Sequence, residues 1–297
     1  MTDHVHVSRA GSRRRLVWVF GLVVVSMVAE IAAGLVSGSL ALLSDAGHMA
    51  TDALGLGMAL AAIIAADRAA HGGHRTFGLY RLEILAALAN AVLLLGVAGY
   101  VLVEAAQRFR DPPEVQSGLM LAVAVLGLGV NALGWWFLRS GAEESLNVEG
   151  AYLEVIADLV GSVGVVVAAV IVRYTGWTYA DPLFAAAIGL FILPRAWRLG
   201  SRAVRVLVQA APRGLDLAGL RRRLASIDGV GDVHDLHVWT LTSDMDVASM
   251  HLMTVSAADP SRVLAEATSI LRDEYRIGHA TLQVEPATHT GCAELTW

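Results

Sequence analysis

Six stretches of about twenty residues, each long and apolar enough to cross a bilayer, run through the first two-thirds of this chain. They are residues 16–36, 40–66, 82–103, 118–138, 152–172 and 181–199. A hydrocarbon core of ~30 Å is spanned by about 20 apolar residues in a helix, where every backbone group is satisfied internally. Composition agrees: 56% of the residues are hydrophobic, 16% are charged, and the mean hydropathy is +0.58. A soluble domain carries roughly 25% charged residues. The first stretch is too long for the core of a cleavable signal, and no small-residue cleavage site with a soluble domain behind it follows. All 22 basic residues are arginine. With the N-terminus inside, twelve arginines fall on cytoplasmic segments and three (Arg108, Arg110 and Arg173) on the opposite side. That asymmetry and the even number of spans place both termini in the cytoplasm. A net charge of −5 gives no reason to expect a nucleic-acid partner. One cysteine, Cys292, excludes an internal disulfide framework.

The character changes after Arg205. "LRRRLASI" has helical spacing, "VHDLHVWTL" and "VASMHLMTV" read as strands, Asp259-Pro260 opens another helix, and "HATLQVE" reads as a last strand. The order α-β-β-α-β over ~80 residues predicts a compact, ferredoxin-like α+β layer structure. The expected organisation is an N-terminal tail (1–15), a six-helix membrane domain (16–205), a small cytoplasmic α+β domain (206–286) and a C-terminal tail (287–297).

Polar residues inside the apolar stretches carry the functional signal. In "SDAGHMATD", Asp45, His48 and Asp52 lie within about 60° of one another on a helix. An ionisable group at mid-membrane costs ~2.5–3.5 kcal/mol even on insertion scales, so three on one face need a function. In "AYLEVIADLVGS", Glu154 and Asp158 form a second stripe, four residues apart. Two helices, each offering two groups at i and i+4, can surround one divalent cation with His48, Asp52, Glu154 and Asp158. Asp45 serves as a further ligand, a gate or a supporting partner of that set. Lone amides such as Asn90 and Asn131 read as helix-packing contacts. Gly47, Gly55 and Gly57 beside the stripe permit either close packing or bending. Asp181 caps the sixth span or faces an outer vestibule.

Weaker metal signals lie elsewhere. Asp67, His71 and His74 form a candidate entry site in "AADRAAHGGHRTFG", against the reading of a solvated loop. In the α+β domain, His234, His251 and Glu285 fall on three separate strands and make the best candidate site, with His279 a weaker addition. His237 shares a strand with His234, but residues three apart point to opposite faces unless a bulge intervenes. Cys292 with His289, and His4 with His6, are ambiguous tail residues.

Taken together, these segments resemble the cation diffusion facilitator family, in its cobalt–zinc–cadmium efflux branch. The resemblance runs through "SLALLSDAGHMATDALGL", "RTFGLYRLEILAALANAVLLL", "FRDPPEV", "GAYLEVIADLVGSVGVVVAA" and "VHDLHVWTLTS". It implies a homodimeric exporter in the cell membrane that moves divalent metal out of the cytoplasm in exchange for protons. Metal would be substrate and also regulatory ligand, with no separate cofactor. The branch usually shows His-x-x-x-Asp in span five, whereas here the pair is Glu154 and Asp158. A carboxylate in place of imidazole moves preference from zinc toward manganese, cobalt or iron(II), although carboxylates also bind zinc. When metal leaves such a set, crowded carboxylates cannot all stay charged, and protons take its place. The alternatives are a membrane metalloenzyme or a metal sensor. No HExxH, Gly-x-Ser-x-Gly or GxxxxGK[ST] occurs, which argues against an enzyme.

Overall fold

The computed structural model describes residues 3–69, 77, 79–139, 146–242, 245–256 and 258–288. Within its helices, the side chains of 3–17, 56, 59–60, 62–69, 146–151 and 153–154 lie outside that description. Six long helices come first: α1 (Asp3–Ser37), α2 (Leu40–Ala69), α3 (Arg81–Arg108), α4 (Ser117–Leu138), α5 (Leu146–Thr175) and α6 (Ala180–Leu207). The α+β part follows as α7 (Leu217–Ala225), β1 (Val230–Thr242), β2 (Met245–Thr254), α8 (Pro260–Asp273) and β3 (His279–Glu285). The chain is an α-helical membrane protein with a small α+β domain at its end. Among the described residues, α1, α3, α4, α5 and α6 each hold a stretch long and apolar enough to cross a membrane. The helices outrun the apolar stretches at several ends; α1 begins at Asp3, well ahead of residue 16.

Two compact units divide the chain: 1–58 with 87–200, and 59–86 with 201–297. In the first, nine of the seventeen buried residues of the main core are alanine, among them Ala41, Ala98, Ala124, Ala168 and Ala185. Lipid tails are as apolar as leucine, so these helices gain little by hiding large side chains from their solvent. They gain by letting backbones approach. Large residues such as Val25, Leu126, Val160 and Phe191 are exposed instead, as a lipid-facing surface requires. Close approach is evident where α2 meets α3. A Cβ on Gly55 would stand 2.5 Å from the Asn90 amide nitrogen, whereas Gly57 faces open space.

In the same unit, Asp181 caps the start of α2 rather than its own helix. Its carboxylate accepts hydrogen bonds from the Ser39 hydroxyl (2.6 Å) and from the Leu40 (2.8 Å) and Ala41 (3.1 Å) N–H groups. It is fully buried, and Arg108 at the end of α3 stands 3.6 Å away. A negative group at a helix N-terminus satisfies otherwise orphaned donors and opposes the helix dipole.

The second unit holds a three-stranded sheet in the order β1-β2-β3, with β1 antiparallel and β3 parallel to β2. The parallel pair requires a crossover, which α8 supplies. Asp259 caps α8 by accepting from the Ser261 N–H at 2.9 Å, and Pro260 follows at the first turn. Here the core is Leu220, Leu224, Val233, Leu252, Val263, Ile270, Leu271 and their neighbours, with only two alanines among thirteen buried residues. Such an interior is built by expelling water.

Candidate metal centres

The first centre lies on α2 and α5 in the helical unit. One turn of helix separates His48 from Asp52, which brings His48 Nδ1 to 3.4 Å from Asp52 Oδ2. On its other side, His48 Nε2 stands 3.7 Å from Asp158 Oδ1 of α5. One ligand atom from each of the three residues lies within 4.8 Å of the others. Ligand atoms around a tetrahedral zinc, bound at about 2.0–2.1 Å, stand roughly 3.3 Å apart. The two aspartates face different nitrogens of His48 and a cation takes one of them, so the carboxylate on the other side has to swing toward the nitrogen that binds. His48 and Asp158 are buried, and Asp52 is partly so. The backbone of Glu154 sits one turn before Asp158 on α5; its side chain lies outside the described residues.

Asp45 is not part of this triad among the described residues. It sits one turn earlier on α2, 2% exposed, and its carboxylate accepts a 3.3 Å hydrogen bond from Ser162 of α5. The Ser162 hydroxyl in turn accepts one from the Asn131 amide of α4 at 2.9 Å. Asn131 is thus a helix-packing contact, as a lone amide in a span suggests, but it belongs to a chain of polar groups that ends on Asp45.

A residue that the sequence reading passed over lies in α1. Glu30 is 1% exposed and accepts a 3.1 Å hydrogen bond from Ser26 one turn earlier. The signal was available: an acid among "VVVSMVAEIAAGL", with a serine at i−4.

The second centre lies on the sheet of the other unit. His234 on β1 and His251 on β2 are paired in register, and Glu285 ends β3. His251 Nδ1 is 2.9 Å from Glu285 Oε1, His234 Nε2 is 3.4 Å from Glu285 Oε2, and the imidazole centroids are 5.3 Å apart. Each imidazole also has a carboxylate near its remaining nitrogen. Asp232 stands 3.3 Å from His234 Nδ1, and Asp235 stands 3.8 Å from His251 Nε2. Outer carboxylates of this kind orient ligating histidines.

The bulge that alternation left open is present. The β1–β2 register shifts between His234 and His237, and Asp235 adopts a left-handed backbone with φ 51°. Aspartate tolerates that region better than most residues. His237 remains outside the cluster, with its Nε2 2.9 Å from Asp235 Oδ1 and its ring largely exposed. His279 is exposed at the start of β3 and meets the Phe77 ring edge-on, with centroids 6.4 Å apart. His71, His74, His289, Cys292 and the side chains of Asp67, His4 and His6 lie outside the described residues.

Comparison with known proteins places both units in one family. The family model described as the cation efflux transmembrane domain matches residues 16–208, and that of the cation efflux protein cytoplasmic domain matches 212–287. The chain is 45% identical to the metal cation efflux system protein CzcD of Cupriavidus metallidurans, over 96% of this chain and 90% of that protein. It is 42% identical to the zinc transporter ZitB of Escherichia coli, over 94% of this chain and 90% of that one. Identity to a cadmium, cobalt and zinc/H(+)-K(+) antiporter of Bacillus subtilis is 34%, over 96% and 93%. A solved structure of the metal-bound C-terminal domain of the Cupriavidus CzcD transporter is 36% identical, covering 24% of this chain and 99% of that one with a TM-score of 0.23. The chain belongs to the cation efflux family and is a transporter, not an enzyme.

Proposed function

We propose that this protein exports divalent transition metal from the cytoplasm across the cell membrane by exchange for protons, carrying the ion between α2 and α5. The observation that carries this reading is the His48–Asp52–Asp158 triad, whose ligand atoms converge from two helices into a buried position in the membrane unit. Glu154, one turn from Asp158, completes a four-group set. Zinc, cobalt and cadmium are the natural substrates, because one imidazole with carboxylates accommodates borderline cations. The zinc named for ZitB and the cadmium, cobalt and zinc named for the Bacillus antiporter support the same class. Manganese becomes accessible through the Glu154 carboxylate.

The exchange follows from charge. A divalent ion offsets the carboxylates in a medium where isolated charge is costly. When it leaves, protons restore the balance, and metal-bound and proton-bound forms that favour opposite-facing conformations couple the two flows. The second centre, His234–His251–Glu285, serves as a regulatory site that reports cytoplasmic metal and strengthens contact between two copies. The family's cytoplasmic-domain match supports that role.

Reconstitution into proteoliposomes tests the reading, with zinc, cobalt and manganese flux measured with and without a pH gradient. Gradient-driven flux is expected in wild type. Asp52→Ala should reduce it by more than the roughly 10–100-fold typical of losing a metal site's outer-shell partner. Absence of flux for every metal under any gradient would sink the exporter reading and favour a metal sensor.

A further inference from the structure

Glu30 lies outside both metal centres, and its surroundings are unusual for a membrane helix. One carboxylate oxygen accepts from Ser26, and Oε2 has no hydrogen-bond partner among the described residues. Space for the head group comes from α4: a Cβ at Gly127 would collide with Glu30 Oε1, and Ser26 Oγ lies 3.5 Å from the same point. One turn along that face of α4 is Asn131, fully buried, whose amide oxygen Oδ1 is also without a partner. Two buried acceptors have therefore been left without donors where a lost hydrogen bond is expensive. Evolution has the option of an apolar residue at position 30, so the carboxylate calls for a ligand.

The chemistry of that ligand can be read from the donors. Glu30, Ser26 and Asn131 present oxygen only, with no imidazole or thiolate, which favours a hard cation over the borderline metals of the first centre. The second carboxylate in the region, Asp45, already accepts from Ser162, and its Oδ1 lies 2.9 Å from where a Cβ on Gly161 would stand. Among the described residues, the Glu30 carboxylate has one neutral hydrogen-bond donor, the Ser26 hydroxyl. The charged groups that act on its surroundings are Asp45 of α2 and Asp158 of α5. α4, the helix packed most closely on α1, carries no ionisable residue. Glu30 is thus coupled by charge to the transport centre.

We propose that Glu30 is the counter-ion residue of the transport cycle: it takes up one hard positive charge, a proton or an alkali cation, in exchange for the transition metal. This rests on the exporter reading. As a proton acceptor, Glu30 Oε2 becomes a carboxylic acid hydroxyl, and the same hydrogen is later released, with no other bond changed. As an alkali site, the Glu30 carboxylate and the Ser26 hydroxyl contribute oxygen ligands to it. In either case the charge on Glu30 changes the electrostatic cost of keeping metal at Asp158.

The test compares wild type, Glu30→Gln and Glu30→Asp in proteoliposomes by three readouts. They are zinc affinity of the detergent-purified protein, zinc/zinc exchange without any gradient, and net zinc uptake driven by a pH gradient or, separately, by a potassium gradient at equal pH. Glu30→Gln should still exchange zinc without a gradient, at an affinity that no longer changes with pH or potassium. Its gradient-driven uptake should fall about tenfold, within the range typical of coupled ligand pairs. Glu30→Asp, which keeps the charge, should recover part of the loss. Whichever gradient loses its effect identifies the ion. Retained gradient-driven uptake in Glu30→Gln overturns the proposal. So does an equal loss of exchange and uptake, which would mark Glu30 as a structural residue. Wild type that exchanges no zinc would instead defeat the exporter reading itself.

Discussion

At the scale of single residues, the selectivity of the proposed exporter turns on what stands at position 154. His48, Asp52 and Asp158 were legible because i, i+4 spacing on a helix is a direct statement about geometry, and the two stripes occur in otherwise apolar runs. Glu30 was not, because a lone acid has no periodic partner of its own kind. Its setting is made by Gly127 and Asn131 on a helix almost a hundred residues away in sequence. For Asp181 the sequence leaves open a cap on its own helix or a place in an outer vestibule, and the carboxylate instead accepts from the Leu40 and Ala41 N–H groups of α2. Glu154→His replaces a hard oxygen by imidazole and should shift transport from manganese toward zinc by about tenfold in relative flux, about 1.4 kcal/mol in differential binding. Competition flux with paired metals would read this directly, and an unchanged ratio would remove Glu154 from the selectivity set.

Among elements, β1 shows how local backbone sets a site. Alternation along the strand favours His234, with His251 and Glu285, over His237, yet it does not foresee the one-residue bulge between them, which has no reliable signature. The left-handed Asp235 inserts that residue and leaves His234 facing His251 and Glu285. A β-branched side chain at φ 51° is disfavoured by about 1–2 kcal/mol. Asp235→Val should therefore lower the thermal midpoint of the α+β unit and weaken metal binding there, while the corresponding Asp235→Asn, which tolerates the same conformation, should keep the fold. Circular dichroism melting and calorimetric zinc titration separate the two effects. For α2, Asp181→Ala strips acceptors from buried N–H groups and should destabilise the detergent-solubilised protein by roughly 1–3 kcal/mol, visible as a lower melting temperature.

For the whole molecule, the order of six apolar helices followed by α-β-β-α-β was readable end to end, because period 3.6, period 2 and composition all agree with what the chain forms. The arrangement of helices within the membrane unit was not, since lipid removes the amphipathic stripe that would otherwise mark each buried face. Metal content provides a check at this scale. Full-length His251→Ala should bind about one zinc fewer per chain, while the helical centre keeps its own. Retention of the wild-type content would exclude the sheet site. The two interiors also imply different responses to heat and cold. An aliphatic core assembled from water carries a positive heat-capacity change on unfolding, so the stability of the α+β unit passes through a maximum and declines on cooling. The alanine-lined helical unit expels no water when its helices meet, and it lacks that curvature. A cooled membrane therefore loosens the sheet that holds His234 and His251 before it loosens the helices that hold His48 and Asp158.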